Sequence, residues 1–177
     1  MIHSTTFILF GQTYRCRQFS AREGMRLFAQ PNASPQALLQ HTSVQVNDQE
    51  YALNTPEAMD HYVLDPLAVV SPMTVLKELM GRVEAFNFDF ITTFDAITIP
   101  PQFLFEKGKT VVSKHVHSMI GALIQNHYAT LRELETVYSV EDLFILYDAL
   151  LEERVATLLA NEVALKKQKR RSHAFSR

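Results

Sequence analysis

An α+β fold, mainly α, is predicted for this chain by three observations. Two early stretches place β-forming residues on either side of short polar turns, three Ser/Thr-Pro pairs mark helix starts, and the second half carries apolar residues at helical spacing. The expected architecture is N-terminal β-hairpins with short helices, packed on a C-terminal antiparallel pair of long helices. Residues 1–85 read as the hairpin-and-short-helix region and 86–108 as a Phe-rich connecting segment. Residues 109–177 read as a long helical hairpin with a basic C-terminal tail.

The first element is a hairpin, because TFILF and TYRCRQF flank Gly11-Gln12. Ser20, three residues ahead of Glu23, then forms a capping box that opens a helix carrying Met25, Leu27 and Phe28. Residues 42–64 repeat the pattern. TSVQV and QEYAL flank Asn47-Asp48, and Gln49 and Tyr51 occupy the places of Gln12 and Tyr14. Common hairpin chemistry explains this echo as well as duplication does. Ser34-Pro35, Thr55-Pro56 and Ser71-Pro72 each set a hydroxyl cap before a proline at the first helical position, predicting helices over 35–41, 56–64 and 72–85.

Six of the twelve phenylalanines lie between Phe86 and Phe105. Phe86, Phe88 and Phe90 alternate as on one face of a strand, and Pro100-Pro101 end the segment. Such a segment serves either as an aromatic plug for the core or as a partner-binding surface, with Phe86, Phe88, Phe90 and Phe94 as its anchors. From Lys109 to Thr136, the residues Val112, Val116, Met119, Ile120, Leu123, Leu131 and Leu134 define one stripe of a long helix. Ser139 and Asp142 cap a second helix through Leu165, with Phe144, Tyr147, Leu151, Val155 and Leu158 along one face. The short link between the two predicts an antiparallel pair.

Several functional classes find no support in the 177 residues. A net charge of -2 gives no overall pull toward nucleic acid or anionic membrane. Cys16 is the only cysteine, so one chain can form neither a disulfide nor a CxxC pair; in an alternating strand it faces away from Arg15 and Arg17 and reads as a core thiol. The opening apolar run is too short for a secretory leader, and no stretch reaches the ~20 apolar residues of a membrane span. A soluble, intracellular protein is therefore expected.

His115 and His117 are two residues apart, about 200° around a helix, and do not converge as metal ligands. Asp148 and Glu152 share a helix face but read as solvated surface. The five glycines form no phosphate-binding spacing, and no serine sits in GxSxG. No catalytic residue, metal or cofactor is expected. The charged feature of note is the end, where Lys166, Lys167, Lys169, Arg170 and Arg171 crowd the last helix. They act there as a solvated helix end, as a docking tail for an acidic protein, or as a phosphate contact in a nucleic-acid-associated accessory protein.

The opening stretch carries a resemblance. Gly11, Thr13, Tyr14, Arg15 and Arg17 in the return strand, followed by Ser20, Ala21, Glu23, Gly24, Arg26 and Leu27 on a helix, resemble the start of tailed-phage tail assembly chaperones and baseplate-hub assembly proteins. YSVEDLFILYDALLEERVA, residues 138–156, is similar to the C-terminal helices of such proteins. The Phe-rich middle and the basic tail have no counterpart in that pattern. The resemblance implies a non-enzymatic, protein-binding component of a bacteriophage tail or baseplate, acting in assembly as a chaperone or as a small structural subunit of the virion. Its partners would be other tail or baseplate proteins or further copies of itself, in the host cytoplasm during assembly or in the virion tail. It implies no catalytic residues.

Overall fold

The computed structural model describes residues 1–30, 33–103 and 116–175, with side chains described as far as 168. The chain forms two compact units. One comprises Met1–Phe94 with Ala129–Leu143, and the other Asp95–Tyr128 with Phe144–Arg177.

The first unit is built on a four-stranded antiparallel sheet in the order β1-β2-β3-β4. Strands β1 (Ser4–Leu9) and β2 (Gln12–Arg17) make one hairpin, and β3 (Thr42–Val46) and β4 (Gln49–Ala52) the other. The first turn is Phe10-Gly11, one residue earlier than the predicted Gly11-Gln12. Both residues have positive φ, 46° and 77°, as do Asn47 and Asp48 at 49° and 62°. Paired positive φ matches the right-handed twist of the flanking strands. Moving the two-residue turn by one position shifts the pairing by two, so the same side chains face inward but each meets a different partner, Phe7 lying opposite Tyr14 rather than Cys16. The observed register aligns Phe7 with Tyr14, Tyr14 with Val44, and Val44 with Tyr51 across four strands. Tyr14 and Val44 in that row are fully buried. The echo between the hairpins extends to their hydrogen bonds. Tyr14 Oη donates to Gln12 Oε1 at 3.3 Å and Tyr51 Oη to Gln49 Oε1 at 2.6 Å. Burial pushes the Tyr14 phenol up to about 12.

Helices α1 (Ala21–Phe28), α2 (Pro35–Leu39), α3 (Pro56–Tyr62) and α4 (Pro72–Phe88) begin where the caps predict. Ser20, Ser34, Thr55 and Ser71 each accept from the backbone N–H three residues on. The Glu23 carboxylate reaches outward to Gln40 at 2.6 Å and His41 at 2.7 Å, tying α1 to the entry of β3. Burial opposes its ionisation, but the hydrogen bond and charge of His41, with Arg26 and Ser20, leave its pKa below the ordinary value. From α4, Val75, Leu79 and Val83 are buried in a core shared with Tyr14, Phe19, Leu39, Val44 and Leu53.

The expected strand character of Phe86, Phe88 and Phe90 is not found. Phe86 and Phe88 are the last turn of α4, and Phe90 opens a short helix, α5 (Phe90–Thr93). The apolar spacing that begins at Val75 carries through Val83 to Phe86, so the helix gains burial by continuing past Ala85.

The predicted 109–136 helix lies partly outside the described residues. Within them it is two short helices, α6 (Ser118–Gln125) and α7 (Leu131–Thr136). His127 at φ 60° interrupts them, and Thr130 starts α7 with a full capping box to Glu133. The second predicted helix forms and is longer than expected, α8 running over Val140–Phe175. At its start Ser139 Oγ accepts from Asp142 N at 3.2 Å, and the Asp142 carboxylate accepts from Ser139 N at 2.8 Å.

The segment before α8 is stitched to the beginning of the chain. Ile2 N donates to Val137 O at 2.8 Å and Ala21 N to Tyr138 O at 2.7 Å. Gly24 of α1 lies so close to Val140 that a Cβ there would overlap the valine side chain.

Candidate protein-binding surfaces

The strongest candidate is the loop between α3 and α4, DPLAVVSP, which the sequence reading did not single out. Asp65 is buried at 8% exposure and its carboxylate faces three backbone donors. Oδ1 accepts from Leu67 N at 3.0 Å, and Oδ2 accepts from Val69 N at 2.9 Å and Val70 N at 3.0 Å. The Leu67 amide, then the Val70 and Val69 amides, hold the carboxyl below its ordinary pKa against the opposing effect of desolvation. Ala68 takes φ 52° at the tip. The braced turn holds Leu67 and Val69 out to solvent at 81% and 80% exposure, and Met73 in the first turn of α4 is 72% exposed. No charged residue occurs from 66 to 76. A loose loop would fold its apolar side chains back onto the protein, whereas this one has its backbone fixed by a buried carboxylate. The readable signal was an Asp-Pro followed by an uncharged apolar run; what it lacked was any hint that the aspartate would turn inward.

The aromatic residues singled out from the sequence divide. Phe86 and Phe88 are half-buried and pack against the core of the first unit. The Phe88 ring lies 6.1 Å from Phe19 and 5.8 Å from Phe28, the latter 55% exposed. Phe28 and Phe88, with Leu27, Leu38 and the acidic Glu84 and Asp89, line a cleft of about 360 Å³. Phe90 and Phe94 meet edge to face at 6.4 Å.

Of the basic residues, Lys166 and Lys167 are exposed on α8, and Lys166 Nζ lies 2.5 Å from Glu162 Oε1. Lys169, Arg170 and Arg171 continue the helix, but their side chains fall outside the described residues. The structure does not bring the aromatic and basic groups together within one unit: Phe86, Phe88, Phe90 and Phe94 belong to the first and Lys166 and Lys167 to the second.

His115 lies outside the described residues, and His117 serves as the N-cap of α6. Among the described residues no group of three His, Cys, Asp or Glu side chains converges as a metal site. Cys16 is buried at 1% exposure and its thiol is pushed up by burial, with the facing Thr42 hydroxyl offsetting part of the shift. Among the described residues no helix is long and apolar enough to cross a membrane. No family model, curated protein or solved structure matches the chain.

Proposed function

We propose that this chain is a non-enzymatic, protein-binding assembly component whose primary contact is the Asp65-braced loop. The observation that carries the reading is the pair Leu67 and Val69, held about four-fifths exposed by a buried carboxylate. Preorganised apolar side chains lose little entropy on docking, and their burial is the dominant favourable term in protein association. Because residues 66–76 carry no charge, the partner offers an apolar pocket rather than a charged patch, and the contact tolerates salt. The resemblance of residues 11–27 and 138–156 supports a phage tail or baseplate as the assembly served, with tail proteins as partners. The antiparallel packing expected of the C-terminal helices belongs to the same reading, and the 2.5 Å hydrogen bond from Tyr128 Oη to Glu153 of α8 supports it.

The test is co-purification of tagged chain with phage tail proteins from infected cells at high salt, for the wild type and Leu67→Ser/Val69→Ser. Retention by the wild type and loss by the variant is the expected result. Equal retention by both removes the loop from the reading. If tail proteins are absent and a polyanion is retained in a salt-sensitive manner that depends on residues 166–177, the nucleic-acid-associated alternative replaces it.

A further inference from the structure

The two edges of the sheet differ in character. β4 is 4 residues long and carries the exposed Glu50, whereas β1 is 6 residues long and no charged residue occurs from 4 to 14. Short, charged edges resist the addition of a further strand, and long, uncharged edges accept it. The backbone groups of β1 alternate in direction. Gln18 N donates to His3 O at 2.9 Å, so the odd-numbered residues of β1 turn their N–H and C=O toward β2 and the even-numbered ones turn theirs away from the sheet. Ile2 N, the first outward donor, reaches Val137 O at 2.8 Å. Among the described residues the outward N–H and C=O groups of Ser4, Thr6 and Ile8 have no partner. The Ile8 side chain is 74% exposed, and Phe7, which ends the inward row of Tyr51, Val44 and Tyr14, is only partly buried.

We propose that β1 pairs antiparallel with β1 of a second copy about a two-fold axis at Phe7. A row of outward amides and carbonyls is satisfied by an extended backbone. The strand that fits has an unpaired edge of its own, no charge, a β-branched side chain to set beside Ile8, and an apolar ring to cover Phe7; β1 itself meets all of these. Val137 helps to fix the register. It holds the place opposite Ile2, which an axis at Thr6 would give to Phe10 of the second copy, while an axis at Ile8 would set Thr6 against that same turn residue. With the axis at Phe7, Thr6 exchanges backbone bonds with Ile8 of the second copy, and Ile8 with its Thr6. Phe7 then faces its own equivalent, and the row of Tyr51, Val44, Tyr14 and Phe7 continues into the second sheet. No like charges meet, because Arg15 lies one strand further in and 3.9 Å from Glu50. Such an isologous contact closes at two copies. It stands apart from the loop contact and does not depend on it.

The test is sedimentation of the full chain over a concentration series, combined with residue-resolved amide hydrogen exchange. A concentration-dependent dimer that tolerates salt is expected. The Phe7 and Leu9 amides should be protected at every concentration, whereas those of Thr6 and Ile8 should gain protection several-fold as the dimer forms. Ile8→Lys places a charge on an exposed side chain at the edge and should abolish the dimer with the melting temperature nearly unchanged. Thr6→Pro removes an outward donor without touching the bonds to β2 and should do the same. Leu67→Ser/Val69→Ser should leave the dimer intact. A chain that stays monomeric throughout overturns the proposal, as does a dimer that survives Ile8→Lys or leaves the Thr6 and Ile8 amides unprotected. Loss of the dimer in Leu67→Ser/Val69→Ser also overturns it and assigns self-association to the loop.

Discussion

Asn87 on α4 receives the backbone N–H of Phe19 at 2.8 Å from 68 residues away, and its own amide donates to Val83 O at 2.8 Å. Only 3% of Asn87 is exposed, so both ends of a buried amide are matched. Replacing it by Leu strands the Phe19 N–H in the core and should cost about 1–3 kcal/mol. Asn87→Asp supplies a second check. Protonated, the acid can accept from Phe19 and donate to Val83; ionised, it is a buried charge with its pKa raised. Its stability should therefore be greatest at low pH and fall as pH rises through that raised value, as denaturant titration across pH will read.

Gly24 and Val140 make a second long-range dependence. A Cβ on residue 24 would occupy the space of a Val140 methyl. Gly24→Ala should destabilise the first unit by about 1–3 kcal/mol, and Val140→Ala should recover part of the loss in the double variant. Additive losses would show that the two helices do not meet at this point.

The loop carboxylate predicts an acid limb to stability. Asp65 has its pKa lowered in the folded chain, so its contribution is complete above the unfolded value of about 3.9 and is lost as pH falls through the lower folded value. Protease cleavage between residues 66 and 70 should rise over that acid range. Asp65→Asn turns an amide NH₂ toward backbone donors and should make cleavage high at every pH. A cleavage rate unchanged in the variant would mean that the carboxylate does not hold the turn.

Leu67→Ser/Val69→Ser should leave the melting temperature nearly unchanged, because side chains about four-fifths exposed contribute little to folding. By contrast, Phe88→Ser should destabilise the fold, since its ring packs against Phe19. Thermal unfolding of the two variants separates a surface held out for a partner from an aromatic that belongs to the core.

Cys16 and Thr42 face each other in register across β2 and β3. Among the described residues the Thr42 hydroxyl is a buried polar group without a full hydrogen bond. Thr42→Val should stabilise by up to about 1 kcal/mol. Cys16 should react with a thiol reagent only as fast as the protein opens, because its thiol is both buried and raised in pKa.

Local chemistry was legible and long-range chemistry was not. The Asn47-Asp48 turn and the Ser34, Thr55 and Ser71 caps depend on residues within a few positions of one another, and the sequence announces them. Phe86, Phe88 and Phe90 misled because a period of two over three residues cannot outweigh the helical spacing extending from Val75. The 109–136 stripe misled because apolar spacing does not register the left-handed backbone at His127. Asp65, Asn87 and Gly24 take their meaning from partners that composition does not reveal: three amides, a distant N–H and a valine on another helix.

The division of the first unit between Met1–Phe94 and Ala129–Leu143 bears on how the chain matures during synthesis. Leu134, Val140 and Leu143 are buried at 0%, 1% and 0% exposure. A ribosome that has released only the first 94 residues has produced the whole sheet without Leu134, Val140, Leu143 or the strand-like stitch at 137–139. Residues 95–128 must then emerge before the unit can close. The nascent sheet therefore waits, with Gly24 and its neighbours uncovered, while a stretch of chain that belongs to the other unit is made. Ribosome-bound intermediates stalled before and after residue 143 has left the exit tunnel should differ sharply in protease resistance.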